Sequence, residues 1–298
     1  MMKISNFLIL IMLLTLNSCM TTYKRTSFDW EGHRGARGLL PENTIMAFQK
    51  AIDLGVNTLE MDVVVSKDNI LVVSHEPWFS SEISSFPDGR PVTSDIEKSL
   101  KIYQMSYDSV KMFDVGKRGH PRFSQQKATP AYKPAIEEVL TQCDEYAKKK
   151  GKPLPKYNIE IKTEPSYYGV YTPHPEEFVN LLYSVLHNYN ILGRCTIQSF
   201  DLAPLEVLHQ LDSSIVVSYL VENSDSPEKN LSKLTFKPDI YSPNFILINK
   251  KNIDYLHANK IKVIPWTVND LDNMKRLVKL NVDGIITDYP NLIFEVKN

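Results

Sequence analysis

From about residue 130 onward the chain alternates helix-like and strand-like stretches with almost nothing left between them. Periodicity predicts helices over Pro134 to Lys148, Glu176 to Asn188, Leu202 to Gln210, Lys251 to Ala258 and Leu271 to Lys279. Between them, strands are predicted over Tyr157 to Ile161, Cys195 to Phe200, Ile215 to Leu220, Ile240 to Pro243, Lys262 to Thr267 and Gly284 to Thr287. Strands near His33, Glu60 and Val72, with a helix from Thr44 to Leu54, carry the same rhythm back toward the start. In a chain of 298 residues this is the pattern of an α/β fold, a (β/α)8 TIM barrel. There are nine strand-like segments for eight places, so one is an extra, within the Glu60 to His75 stretch or around Tyr241.

One segment breaks the rhythm. After the third strand, about 77–133 is rich in Ser, Tyr, Phe and Pro and has no sustained periodicity. Connections of that length are uncommon unless they are functional or partly folded, and this one reads as an insertion over the barrel mouth. Its Lys117, Arg118, His120 and Arg122 form a basic cluster that either meets an anionic ligand or is a solvated loop.

Polar residues fall where barrel enzymes keep their chemistry. His33, Glu60, Glu160, Gln198, Trp266 and Asp288 all lie at or just past the carboxyl end of a predicted strand. Glu60 and Asp62 are two apart and share one strand face, while Leu59, Met61 and Val63 fill the other. If the turn at Lys67, Asp68 and Asn69 closes a hairpin, His75 lands beside both acids; parallel strands would still leave them at strand ends. Asn158, Glu160 and Lys162 repeat the pattern against Ile159 and Ile161. One such strand reads as a wet face, but two with the same acid spacing point to a site. With His33, Arg34 and His75 close by, the set suits phosphodiester cleavage.

The ends and charge add a location. Lys3 precedes an apolar run from Phe7 to Leu16 that is too short to span a bilayer but suits an export signal, and Leu16-Asn17-Ser18-Cys19 resembles a bacterial lipoprotein signal. Residues 1–18 are then the leader, Cys19 carries the lipid anchor, 19–29 form a tether and 30–298 the barrel domain. An ordinary secretory signal is the alternative. The protein is expected to be exported and anchored to a membrane, facing the periplasm, with the cell surface as the other candidate. The net charge of -1 argues against a nucleic-acid partner. Cys143 and Cys195 either pair in an oxidising compartment or serve as small buried hydrophobes.

His33-Arg34-Gly35, Glu60-Met-Asp62, His75, Glu160-Ile-Lys162, Gln198-Ser-Phe200, Trp266-Thr-Val-Asn269 and Gly284-Ile-Ile-Thr-Asp288 occur in order, and over residues 31–290 the chain resembles the glycerophosphodiester phosphodiesterase family. The resemblance implies a barrel, one divalent cation, and hydrolysis of glycerophosphodiesters to sn-glycerol 3-phosphate and an alcohol. It implies Glu60, Asp62 and Glu160 as metal ligands, His33 and His75 as acid and base, and Arg34 and Lys162 as phosphate contacts. Three carboxylates are hard oxygen donors, which suit Ca²⁺ or Mg²⁺. Gln198 is a candidate substrate contact, and Trp266 and Phe200 are either walls of the glycerol pocket or plain core aromatics. Glu42 and Asn43 resemble a family motif, although Asn43 also suits a helix cap and Glu42 a surface site.

Two rival readings follow. A lysophospholipase D or phospholipase would keep the chemistry on an intact lipid, with Ile83, Phe86, Tyr103, Met105, Tyr107, Met112 and Phe113 as an apolar channel. A non-catalytic binding lipoprotein would not need both histidines and all three carboxylates, and their presence argues against it.

Overall fold

The computed structural model describes residues 27–297; the expected leader, Cys19 and tether positions 19–26 lie outside the described residues. The first half of the chain runs β1 (Asp29–Gly32), α1 (Ile45–Asp53), β2 (Thr58–Val65), β3 (Leu71–Val73), α2 (Tyr107–Val110), α3 (Ile136–Lys149), β4 (Lys156–Ile161) and α4 (Pro175–Asn188). The second half continues with β5 (Cys195–Ser199), α5 (Leu202–Leu211), β6 (Val216–Val221), α6 (Pro227–Leu231), β7 (Ile240–Pro243), α7 (Lys250–Ala258), β8 (Lys262–Val263), α8 (Leu271–Lys279), β9 (Gly284–Thr287) and α9 (Ile293–Lys297).

Eight strands pair in parallel in the order β8-β7-β6-β5-β4-β2-β1-β9. The ring closes where Ile286 N donates to Pro265 O and Val268 N to Ile286 O, each at 3.0 Å, between β9 and the chain leaving β8. This is the (β/α)8 barrel. The extra segment is β3, which pairs antiparallel with β2 at Val63↔Val73, so the hairpin alternative is the one adopted. Tyr241 belongs to an ordinary barrel strand.

Alternation sets what each strand face holds. Leu59, Met61 and Val63 of β2 and Ile159 and Ile161 of β4 enter the main core with Phe48 of α1, Val139 of α3 and Phe178 of α4. The residues between them point into the barrel. Helix starts are fixed by side-chain caps: Thr44 accepts from Ala47 N, Asp201 from Ala203 N, Asn249 from Asn252 N and Asp270 from Asn273 N. Thr44, not Asn43, therefore caps α1. Cys143 and Cys195 are free and buried in the same core. Among the described residues, no helix is long and apolar enough to cross a membrane.

The inserted segment leaves after β3 and has a core of its own. Phe79, Ile83, Ile102, Tyr107, Val110 and Phe113 pack with Val64 and Val72, and the Phe79 and Phe113 rings stack at 3.9 Å. That corrects the expected apolar channel. Ile83, Tyr107 and Phe113 are buried in this core, Phe86 and Met105 pack against it, Tyr103 packs on the barrel core, and Met112 faces outward.

Candidate active site

Strand register assembles the site before any side chain is considered. Asp62 lies opposite Glu160 between β2 and β4, and Glu160 lies opposite Gln198 between β4 and β5. Carboxylate oxygens of Glu60, Asp62 and Glu160 all come within 4.8 Å of one another, and all three residues are buried. Ser74 N donates to Asp62 O at 2.9 Å, which carries the hairpin's pairing one step further and delivers His75 to the same rim.

The His33-Arg34-Gly35 run forms a turn that depends on its glycine. Gly35 has φ +85°, and a Cβ there would stand 2.6 Å from the Ala47 carbonyl carbon. Arg34 also has a positive φ of 49°, which aims its N–H at Glu60 Oε2, 2.9 Å away. The guanidinium then meets Glu42 Oε1 through Nη1 at 2.8 Å and Asp62 Oδ2 through Nε at 3.2 Å. Asn43, with φ 55°, donates to Asp62 Oδ2 at 2.9 Å. Glu42 is buried, and its second oxygen pairs with Arg37 Nε at 2.6 Å, so it is an anion clamped between two arginines.

Each histidine has its own carboxylate. His33 Nδ1 is 2.7 Å from Asp288 Oδ1, and Asn269 Nδ2 donates to the other Asp288 oxygen at 2.7 Å. His75 Nδ1 is 2.6 Å from Glu76 Oε1, while its Nε2 lies 3.1 Å from Lys162 Nζ. In both rings the carboxylate holds Nδ1 and leaves Nε2 on the site side. Burial pushes both imidazoles below their ordinary value, against the pull of Asp288 on His33 and of Asp62 and Glu76 on His75.

Burial dominates the electrostatics of the three-carboxylate cluster. Burial and then the neighbouring Asp62 push the Glu60 carboxyl well above the usual range. Burial lifts Glu160 to about 7, with Asp62 adding to it and Lys162 opposing. Asp62 is also buried, yet Arg34, His75 and Lys162 outweigh that and hold it low. A close, buried trio of hard oxygen donors fits one divalent cation of the Ca²⁺ or Mg²⁺ kind.

Two cavities open onto this cluster. A smaller one of about 230 Å³ is lined by His33, Arg34, Arg37, Glu60, Gln198 and Trp266, among others. A larger one of about 710 Å³ runs out past Lys162, Trp78 and Tyr167. His75, Glu160 and Phe200 line both. Gln198, expected at the substrate pocket, lines the smaller cavity while donating to Glu60 Oε1 at 2.9 Å. Trp266 is held by its Nε1 donating to Ser242 O at 2.8 Å and meets Phe200 edge-on at 5.3 Å.

The basic cluster of the insertion divides. Arg118 clamps the carbonyls of Ser81 and Ser84, whereas Arg122 lines the smaller cavity and pairs with Glu82 at 3.0 Å. His120 is buried and sits 3.7 Å from Glu42. Sequence reasoning missed Arg37 and Lys133. Lys133 is a buried lysine whose Nζ donates to Ser74 Oγ at 2.7 Å, and its charge is disfavoured by burial. A lysine before a proline in a loop carries no pattern that would have revealed it.

A barrel with buried carboxylates at the carboxyl ends of its strands, flanked by two carboxylate-held histidines, defines a hydrolase of phosphoric diesters. The chain belongs to the glycerophosphoryl diester phosphodiesterase family, whose model matches residues 33–292. It is 26% identical over 274 residues to the glycerophosphodiester phosphodiesterase of Bacillus subtilis (strain 168), covering 89% of this chain and 85% of that one. It is 25% identical to a human protein named lysophospholipase D GDPD1, covering 87% of this chain and 82% of that one. In fold it is similar to a crystal structure of a Silicibacter pomeroyi DSS-3 protein assigned to the glycerophosphoryl diester phosphodiesterases. That match has TM-score 0.81 and 26% identity, and covers 91% of this chain and 93% of that one.

Proposed function

We propose that this enzyme hydrolyses glycerophosphodiesters to sn-glycerol 3-phosphate and an alcohol, with one divalent cation held by Glu60, Asp62 and Glu160. One arrangement carries the reading: His33 and His75, each fixed through Nδ1 by its own carboxylate, border a buried trio of carboxylates at the junction of two cavities. When bound, the cation would supply positive charge to the phosphoryl oxygens.

The chain's own groups supply the rest. The Lys162 ammonium, held between Glu160 Oε1 and His75, and the Arg34 guanidinium offer charged donors to the phosphate. The substrate's glycerol hydroxyl attacks phosphorus as one imidazole Nε2 takes its proton, and the other imidazole protonates the departing alcohol. Water then opens the cyclic phosphate with the proton roles reversed. An acid and a base at roughly 10² to 10⁴ each supply about 5 to 11 kcal/mol together. Enzymes lower barriers by about 8 to 23 kcal/mol, so charge stabilisation at phosphorus must supply much of the balance.

Intact lysolipids fit less well, because the insertion's apolar side chains are spent on its own core. The human lysophospholipase D relative makes a lysolipid the necessary control. The test is a panel of glycerophosphocholine, glycerophosphoethanolamine, glycerophosphoglycerol and lysophosphatidylcholine, with and without chelator. Release of sn-glycerol 3-phosphate from the soluble diesters, abolished by chelator, supports the reading; turnover of the lysolipid alone contradicts it. The proposed location is the exported, membrane-anchored one, resting on Lys3, the Phe7 to Leu16 run and Cys19.

A further inference from the structure

The larger cavity has a chemistry distinct from the smaller one. Its basic lining groups are His75 and Lys162, at the end that adjoins the carboxylate trio. Beyond Glu160 of the trio, the rest of its charged wall is acidic, with Glu76, Glu164 and Asp201. Glu76 is committed to His75, and Asp201 accepts from the Tyr168 hydroxyl and caps α5, but neither Glu164 nor Asp201 is ion-paired among the described residues. Glu164 is exposed and accepts from Ser166 Oγ.

Aromatic rings stand beside these acids. Trp78, Tyr167 and Tyr171 form a mutually packed trio, with centroids 5.9 Å apart for Trp78–Tyr167, 5.3 Å for Trp78–Tyr171 and 5.3 Å for Tyr167–Tyr171. Trp78 and Tyr167 line the cavity. The trio already attracts ammonium groups from the insertion: Lys98 Nζ is 5.5 Å from the Trp78 ring centre and Lys101 Nζ is 4.9 Å from that of Tyr171. Neither lysine lines the cavity, and among the described residues no lysine stands over Tyr167.

We infer that the larger cavity holds the leaving alcohol and selects one bearing a quaternary or primary ammonium group, which Tyr167, Trp78 and Glu164 bind. The inference rests on the proposed phosphodiesterase reading and names its substrate class. Cations bind aromatic faces, best when a carboxylate is close, and a choline-like group has an apolar surface that suits rings as well as charge. Lys162 and His75 then meet the phosphate at one end of the substrate while the acidic, aromatic end meets the alcohol. A neutral polyol such as glycerol would gain no charge pairing there.

The experiment compares kcat/KM for glycerophosphocholine and glycerophosphoglycerol in the wild-type enzyme and in Glu164→Gln, Glu164→Lys and Tyr167→Ala. Glu164 is exposed, so its variants do not threaten the fold. The choline-to-glycerol ratio should exceed about tenfold in the wild type, fall severalfold in Glu164→Gln and Tyr167→Ala, and fall furthest in Glu164→Lys. Choline alone should inhibit competitively, and more weakly in those variants. A wild-type ratio near one, or a ratio that the three variants leave unmoved, overturns the inference while leaving the hydrolase reading standing. Failure to hydrolyse either diester takes down that reading, and the inference with it.

Discussion

His33 Nδ1 lies 2.7 Å from Asp288 Oδ1, which leaves Nε2 as the nitrogen facing the carboxylate trio, 4.0 Å from Glu60 Oε2. Asp288 is itself held by Asn269 and stands 3.9 Å from Arg37 Nη1, so its geometry is set from three sides. Burial raises its carboxyl, but His33 and Arg37 outweigh that and keep it low, so it stays ionised against the imidazole. Asp288→Asn should lower kcat by about 10² or more while KM changes less than about threefold, because the ring loses its fixed tautomer and not its contact with substrate. Steady-state kinetics checks this; a kcat within twofold of wild type would show that Asp288 does not position His33.

The carboxylate trio should behave as a cation site in the folded protein, independently of turnover. Ca²⁺ or Mg²⁺ at about 100 times its Kd should stabilise the protein by roughly 2.7 kcal/mol, read as a rise in Tm. Glu60→Gln and Asp62→Asn should lose most of that rise. With Glu160 lifted to about 7, protons compete with the cation, so the apparent affinity should weaken as pH falls from 8 to 6. A divalent-dependent Tm shift of equal size in wild type and both variants would place the cation elsewhere.

A second buried acid gives a stability test that no cation enters. Glu31, on β1 below the site, is pushed up to about 8 by burial and then by Asp29, and accepts from Asn158 Nδ2 at 2.8 Å. With a folded pKa above the unfolded value of 4.5, the native state keeps a proton that the unfolded state has released. Stability from this group is therefore full below the unfolded value and is lost as pH rises from there through about 8. Glu31→Gln keeps the acceptor for Asn158 and removes the ionisation. It should be near neutral at pH 5 and stabilising by about 2 to 5 kcal/mol at pH 9. Denaturation curves at the two pH values decide it, and an equal effect at both would contradict the assignment.

The location reading has its own experiment. Native protein should partition into detergent and Cys19→Ser should not, because the Phe7 to Leu16 run can direct export without holding a folded barrel in a bilayer. If both forms fractionate as freely soluble, an ordinary secretory leader replaces the anchor.

Some of this site was legible from spacing and some was not. Glu60 and Asp62 were readable because strand alternation puts residues two apart on one face of β2, and Glu160 and Lys162 because the same spacing carries on one residue past the end of β4. His75 was readable only conditionally, since its place depends on β3 folding back on β2, which the structure does through a turn closed by Ser66 N to Ile70 O at 2.9 Å with Asn69 at φ 61°. Glu42 and Asn43 stayed ambiguous because the same residues suit a surface or a cap; a positive φ at Asn43 and two arginines around Glu42 decide it, and neither is a local signal. The insertion misled most, because its apolar residues gave no period by which to tell a channel lining from a small private core.

The central claim is tested most directly by the two histidines under the diester assay. Purified wild type, His33→Ala and His75→Ala are given glycerophosphocholine with excess divalent cation, and sn-glycerol 3-phosphate release is followed. Each variant should lose at least about 10² in kcat while its KM and its cation-dependent Tm shift stay close to wild type. A loss of less than tenfold in both variants would contradict the account.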